Sequence, residues 1–281
     1  MSLRGTAQET LRICEEGGYE APSGAWRTIE DELVAAVDRT RLYRPGDHPR
    51  LSLADGTSRA RVRVDEGTTQ AWARALVQDE GRRDLVLLNF ASARNPGGGF
   101  LNGARSQEED IARASALYPC LLGAPGYYEA NRETRSLLYT DHVIYSPRVP
   151  FFRERNRRLL ETPFLASVIT APAPNAGQVL RRDPTAGPEI EATLRRRAGQ
   201  VLAVARDRGH RRVLLGAWGC GVFRNDPEVV ADAFGAWLGR EPFAEAFDEV
   251  RFAIYDPTRA QPNLGAFQRR FAPGFDGSSV S

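Results

Sequence analysis

Apolar positions along the chain keep two rhythms. Near the start, Ala7, Leu11 and Cys14 recur at helical spacing and stop at Gly17-Gly18, a glycine end for a helix. Trp26, Ile29, Leu33, Ala36 and Val37 repeat that spacing and predict a second helix. A polar, proline-containing connection over 44–58 follows, and the rhythm then changes. Arg61-Val62-Arg63-Val64 alternates with period two, as a half-exposed strand does. A helix over 69–78 carries Trp72, Leu76 and Val77 on one face, and residues 85–90 form an apolar run long enough for one buried strand.

Beyond residue 106 the alternation continues. Ile111, Ala114, Ser115 and Leu117 suit a helix that starts at Gln107 with Ser106 as N-cap. A further helix is predicted over 127–137, a strand over 141–145 ended by Pro147, and a strand over 164–170 closed by Ala171-Pro172-Ala173-Pro174. A long helix from Pro188 sets Ile190, Leu194, Val201, Leu202 and Ala205 inward, with Arg195-Arg196-Arg197 as a solvated face. A strand over 213–218, the loop from Gly219 to Phe223, and a helix capped by Asp226 with Pro227 in its first turn come next. In that helix Val230, Phe234, Trp237 and Leu238 face inward; a strand over 250–255, a short helix and a frayed tail from Gly274 complete the chain. Strands alternating with helices from residue 60 onward predict helices on both faces of a largely parallel sheet.

Composition narrows the function classes. Of 281 residues, 42% are hydrophobic and 26% charged, as in a globular protein. The net charge of +2 is too small for a general polyanion-binding surface, so an anionic ligand needs a local site, and no sequence-specific nucleic-acid binding is expected. All 38 basic residues are arginine, which leaves each single arginine with little diagnostic weight. Cys14, Cys120 and Cys220 form no C-x-x-C pair, and His48, His142 and His210 are equally dispersed, so neither a disulfide framework nor a metal site is expected. No apolar run approaches a membrane span, and Glu9, Glu15 and Glu16 disagree with a signal peptide, so a soluble cytoplasmic protein is expected.

The densest chemistry lies between residues 85 and 117. Pro96, Gly97, Gly98, Gly99 and Gly103 fall within eight residues and let a ligand approach the main chain closely. Separated from Gly99 by seven residues comes Gln107-Glu108-Glu109, two carboxylates in the first turn of a helix. Ser106-x-x-Glu109 also fits a capping box, in which the glutamate only returns to the Ser106 backbone N–H. Gly219 and Gly221 fit either a second ligand loop or a tight strand-to-helix turn, and Asn95 either a sugar contact or an Asn-Pro turn.

The triple glycine followed by Gln-Glu-Glu, on a strand, loop and helix, resembles the signature of poly(ADP-ribose) glycohydrolases. Animal members carry Phe-Ala-Asn after the central strand where this chain has Phe90-Ala91-Ser92, and the spacing before the glycines is one residue longer here, which points to the bacterial-type branch. The resemblance implies a macrodomain-like three-layer α/β/α fold over residues 59–270, with a mixed, largely parallel central sheet, an N-terminal helical extension over 1–58 and a flexible tail over 271–281. It implies hydrolysis of ribose-ribose O-glycosidic bonds from polymer ends, with ADP-ribose released and no cofactor or metal, in reversal of ADP-ribosylation such as follows DNA damage. Glu109 is then the general acid and base, and Glu108 positions the substrate through its ribose hydroxyls. Because a helix start favours the ionised carboxylate, Glu109 is expected to act as an acid mainly when an anionic ligand lies beside it. Gln107, Asn95 and Gly97, Gly98 and Gly99 would line the ribose and diphosphate pocket; Gly219, Gly221 and Val222 would cover the diphosphate; Phe223 would pack on the ligand. Tyr139, Tyr145 and Trp218 are assigned to the core. The expected partners are poly(ADP-ribose), ADP-ribose and ADP-ribosylated proteins, met by a monomer. The competing readings are a non-catalytic ADP-ribose-binding macrodomain and a hydrolase of mono-ADP-ribosylated protein.

Overall fold

The computed structural model describes residues 2–47, 49, 60–155, 157–239 and 243–272. His48, most of the 44–58 connection, the boundary near 58 and the tail from Gly274 lie outside the described residues. In chain order the elements are α1 (Leu3–Glu16), β1 (Gly18–Glu20), β2 (Trp26–Thr28), α2 (Glu30–Asp38), β3 (Arg41–Tyr43), β4 (Arg61–Glu66), α3 (Thr69–Arg74), β5 (Leu85–Phe90), α4 (Gln107–Ala114), α5 (Leu117–Leu122) and α6 (Pro125–Glu133). There follow β6 (Val143–Arg153), β7 (Leu159–Ala171), α7 (Ala176–Arg182), α8 (Gly187–Asp207), β8 (Arg212–Leu215), α9 (Pro227–Leu238), α10 (Phe243–Ala246), β9 (Glu249–Ile254) and α11 (Pro262–Arg270).

Seven strands form one sheet in the order β3-β6-β7-β5-β8-β9-β4. From β7 across to β4 every neighbour is parallel, whereas β6 runs antiparallel to both β7 and β3. This is the largely parallel sheet that the alternation of elements predicts, and mixed as the family resemblance implies. Side chains of β5 divide between its faces: Val86 and Leu88 join a core with α8, α9 and α11, while Leu85 and Leu87 join a second core with α2, α4, α5 and α6. Burial on both faces is why β5 reads as a continuous apolar run. It also sets β5 in the interior of the sheet, with its C-terminal end feeding the glycine loop.

Several local expectations differ from the structure. Trp26 lies in the exposed hairpin strand β2 and not in a helix, since α2 opens only after Ile29. The helix opening at Gln107 ends at Ala114, because Ser115 turns extended and bridges to Phe151, and Leu117 starts the separate α5. The 127–137 helix stops at Glu133. Strand β6 continues through Pro147 and Pro150, with a register shift between Ser146 and Val149 that absorbs the missing donor. Trp218 lies past the end of β8, although it is buried in the core as expected. Arg197 is not on a solvated face: it is fully buried, while Arg196 is exposed. Among the described residues no helix is long and apolar enough to cross a membrane.

Candidate active site

Open α/β sheets present ligand crevices at the C-terminal ends of their parallel strands. Here the segments that leave β5, β7 and β8 meet at that end. Trp218, just after β8, donates its indole N–H to the Ala171 carbonyl at the end of β7 (3.2 Å). Asn225 donates its side-chain amide to the Pro174 (2.8 Å) and Gly219 (3.1 Å) carbonyls, and so ties the loop after β8 to the loop after β7. The Phe90 ring approaches Gly216 so closely that a Cβ there would lie 2.9 Å from it.

Helix α4 brings both glutamates to this end. Its N-terminal turn is anchored by Gln107, whose side-chain amide accepts from the Phe90 N–H (2.8 Å) and donates to the Leu88 carbonyl (2.7 Å) and the Thr69 hydroxyl (3.2 Å). Gln107 therefore braces α4 against β5 and α3. Glu108 is 2% exposed. Its Oε1 accepts from the Asn89 amide (3.2 Å) and its Oε2 from the Ser92 N–H (2.6 Å). Burial pushes its pKa up to about 8, against the opposing effect of these hydrogen bonds and of the Gly97 N–H and with reinforcement from the neighbouring Glu109.

Glu109 is 7% exposed and does not build a capping box. Its Oε1 accepts from the Gly99 N–H (2.9 Å), and its Oε2 accepts from the Ser106 hydroxyl. Ser106 occupies the N-cap position yet makes no side-chain bond to the helix backbone. Successive helix residues project about 100° apart, but both carboxyl groups reach the same backbone. A Cβ on Gly98, at φ 60°, would overlap Glu109 Oε1 and lie 3.0 Å from Glu108 Oε2. Gly97, at φ 67°, is covered by the fully buried Phe100, with 2.8 Å from a Cβ to the ring. Gly99 has Ala104 at its back.

The second glycine loop is built differently. Gly219 takes φ 73°, and a Cβ there would overlap Asn225 and Ala173. Gly221 has open space where a Cβ would stand, and Val222 is 80% exposed. Among the described residues, the N–H groups of Gly221, Val222 and Phe223 meet no acceptor. The first loop thus aims the Gly97 and Gly99 amides inward at carboxylates, and the second holds three amides free. Phe223 is half-buried and meets the Tyr139 ring at 5.9 Å. Tyr139 is half-buried and belongs to neither core, against the expectation from sequence; it holds a left-handed backbone at φ 63°, with its carbonyl bound by the buried Arg197 (2.9 Å), and serves as a wall of this loop. Asn95 is exposed at the turn that precedes the glycines, where its carbonyl accepts from the Gly98 N–H (3.0 Å). Among the described residues no group of three or more His, Cys, Asp or Glu is arranged to hold a metal ion.

Sequence reasoning overlooked Asn89 and Asn225, named Ser92 only as a departure from the animal motif, and set Arg197 on a solvated face. Asn89 left a signal, as the single polar residue of an otherwise apolar strand, since a buried amide in a strand needs partners. Asn225 left none beyond an Asn-Asp-Pro turn.

A mixed sheet between helical layers, with paired glutamates beneath a glycine loop at the strand C-termini, is a macrodomain-like architecture. The family model for the catalytic domain of microbial-type PARG, poly(ADP-ribose) glycohydrolase, matches residues 7–154. The chain is similar to the poly(ADP-ribose) glycohydrolase of Thermomonospora curvata, at 46% identity and a TM-score of 0.89 over 96% of this chain and 99% of that one. With the inhibitor ADP-HPD bound, that enzyme gives 48% identity and a TM-score of 0.87 over the same shares. The Deinococcus radiodurans enzyme in complex with ADP-ribose gives 46% and 0.78 over 85% of this chain and 97% of that one. No curated protein matches. The chain belongs to the microbial-type poly(ADP-ribose) glycohydrolases.

Proposed function

We propose that Glu109 is the general acid and base with which this glycohydrolase cuts the ribose-ribose O-glycosidic bond of poly(ADP-ribose) and releases ADP-ribose. The observation that carries the assignment is the turn of its carboxyl group away from the helix backbone and under Gly98 and Gly99. A capping glutamate would instead bind the Ser106 N–H. Cleavage needs a proton on the leaving oxygen and a water delivered to an oxocarbenium-like carbon, and one carboxyl group can serve both steps in turn.

Glu108 has a different task. Both its oxygens are held by Asn89 and Ser92, and burial favours its neutral form near pH 7. A neutral carboxyl both donates and accepts, which suits a pair of ribose hydroxyls. The free amides of Gly221, Val222 and Phe223 suit the diphosphate, because phosphate oxygens only accept. Gly97, Gly98 and Gly99 admit the ribose to the carboxylates, Phe223 and Tyr139 border the second loop, and Asn95 stands exposed beside the first. Gln107 contributes by holding α4 in register with β5. Action from polymer ends, on free or protein-attached polymer, by a cytoplasmic monomer completes the reading; its three cysteines are unpaired, as a reducing compartment favours.

The test is ADP-ribose release from purified poly(ADP-ribose) by the wild type and Glu109→Gln. The variant should lose about 1,000-fold in kcat, in line with the loss of a general acid and base, while its ADP-ribose affinity persists. A Gln variant that cuts at the wild-type rate would refute the role of Glu109.

A further inference from the structure

Glu109 must exist in two protonation states during one turnover, and its two oxygens are not equally able to serve them. Oε1 is bound by the Gly99 N–H, a group that only donates, with Gly98 packed directly over it. A proton on Oε1 would face that donor. Oε2 faces the Ser106 hydroxyl, which carries one donor and two acceptor lone pairs and turns freely about its C–O bond. Among the described residues Ser106 is thus the partner of Glu109 that fits both the carboxylate and the acid. Ser106 is also exposed, whereas Glu109 is buried, so the hydroxyl stands between the carboxyl group and the surface.

Helix chemistry gives Ser106 a competing task that it does not perform. Serine at an N-cap ordinarily accepts from the N–H two or three residues on. Here the N-cap side chain makes no such bond and is turned onto the glutamate.

We propose that Ser106 is a positioning residue for catalysis: its hydroxyl marks Glu109 Oε2 as the proton-carrying oxygen and steadies that oxygen in both halves of the reaction. The inference rests on the acid and base role of Glu109 argued above. In the first half the Oε2 proton passes to the leaving ribose oxygen as the C–O bond breaks and its electron pair goes to that oxygen. Ser106 then donates to the new carboxylate. In the second half water adds to the ribose carbon and gives its proton back to Oε2, while Ser106 rotates to accept.

The experiment compares ADP-ribose release from poly(ADP-ribose), ADP-ribose binding and thermal melting for wild type, Ser106→Ala, Ser106→Thr, Ser106→Asp and Glu109→Gln. Ser106→Ala should lower kcat by about tenfold or more, with KM, ADP-ribose affinity and Tm near wild type. Ser106→Thr, which keeps the hydroxyl, should recover most of the rate. Ser106→Asp supplies an excellent N-cap but sets a second carboxylate against Oε2, so it should be as slow as Ser106→Ala. Wild-type turnover in Ser106→Ala, or an active Ser106→Asp beside a Ser106→Ala of lowered Tm, would overturn the proposal and leave Ser106 a helix cap. The Gln variant separates the two levels: if it still cuts, the role of Glu109 itself fails; if it is dead while the Ser106 variants run normally, only the present inference fails.

Discussion

At Gly98 a single methyl group has no room. The backbone is left-handed at φ 60°, and a Cβ would enter the space of Glu109 Oε1. Left-handed backbone alone costs an L-residue about 1–2 kcal/mol, which a folded domain tolerates, whereas the carboxyl group it would displace is the one proposed as general acid and base. Gly98→Ala should therefore stay folded and lose about 100-fold in kcat, a split read from a thermal melt beside a steady-state assay. Glu108 supplies a second residue-scale expectation. Its folded pKa, raised to about 8 chiefly by burial, lies above the ordinary carboxylate value, so the folded protein binds the extra proton. Its contribution to stability is full below about pH 4.5 and is lost as pH rises through 8. Glu108→Gln removes the titration, so its Tm should gain on wild type steadily between pH 5 and pH 9. A constant difference over that range would show that Glu108 titrates normally. The sequence announced the glutamates through their spacing from the glycines. Asn89, a lone polar residue in an apolar strand, and Ser92, a departure from the animal motif, carried weaker signals, because ordinary turn and strand residues gain a function only from the neighbours that folding brings.

Among the elements, α8 shows why a face assignment can miss. Three successive arginines cannot share one side of a helix, since they sweep about 200° around it. Arg195 and Arg196 remain towards solvent, and Arg197 enters the core, where it binds Asp141 (2.7 Å) and the carbonyls of Pro172 (3.0 Å) and Tyr139 (2.9 Å). These contacts fasten α8 to the segment after β7 and to the wall of the second glycine loop. Arg197→Ala leaves Asp141 its partner Arg196 but strands two carbonyls, and should destabilise by about 3 kcal/mol, measured as a lower denaturant midpoint. ADP-ribose affinity should weaken with it, because Tyr139 loses its tether; an unchanged affinity would show the wall to be held otherwise. Long periodic elements such as α8, α9 and β5 were legible because burial imposes their rhythm. Strand β6 was not, since its two prolines signal an end that the bulge at Ser146 and Val149 circumvents.

For the molecule as a whole, the end of the sheet that carries the glutamates and the opposite end are held by different chemistry. At the site end the N-terminal helix buttresses the glycine loop: Ala7 packs with Phe100 and Ala112, Arg4 donates to the Asn102 carbonyl (3.1 Å), and Thr10 donates to the Arg113 carbonyl (2.6 Å). At the other end, where β5 and β8 begin, His210 joins three strands. The Asp84 carbonyl can only accept, so His210 Nδ1 carries the proton (2.8 Å), and Nε2 accepts from the Tyr145 hydroxyl (2.9 Å). Acceptance at Nε2 requires the neutral ring, and burial lowers its pKa below the ordinary 6.5 against the opposing effect of the Asp84 carbonyl and charge. Arg208, stacked over the Tyr145 ring at 5.2 Å, adds a positive charge nearby. A depressed folded pKa means that the unfolded chain takes the proton first. The contribution of His210 is therefore full above about pH 6.5 and lost as pH falls through the lower folded value. Wild-type Tm should drop between pH 7 and pH 5 more steeply than that of His210→Gln, whose amide can keep one donor and one acceptor. Because the ring lies at the far end of the strands from the glutamates, kcat of the variant at pH 7.5 should match wild type. A pH profile of stability unaltered by the substitution would place the acid sensitivity in other groups, and a fall in kcat would mean that the two ends of the sheet are coupled through β5 and β8.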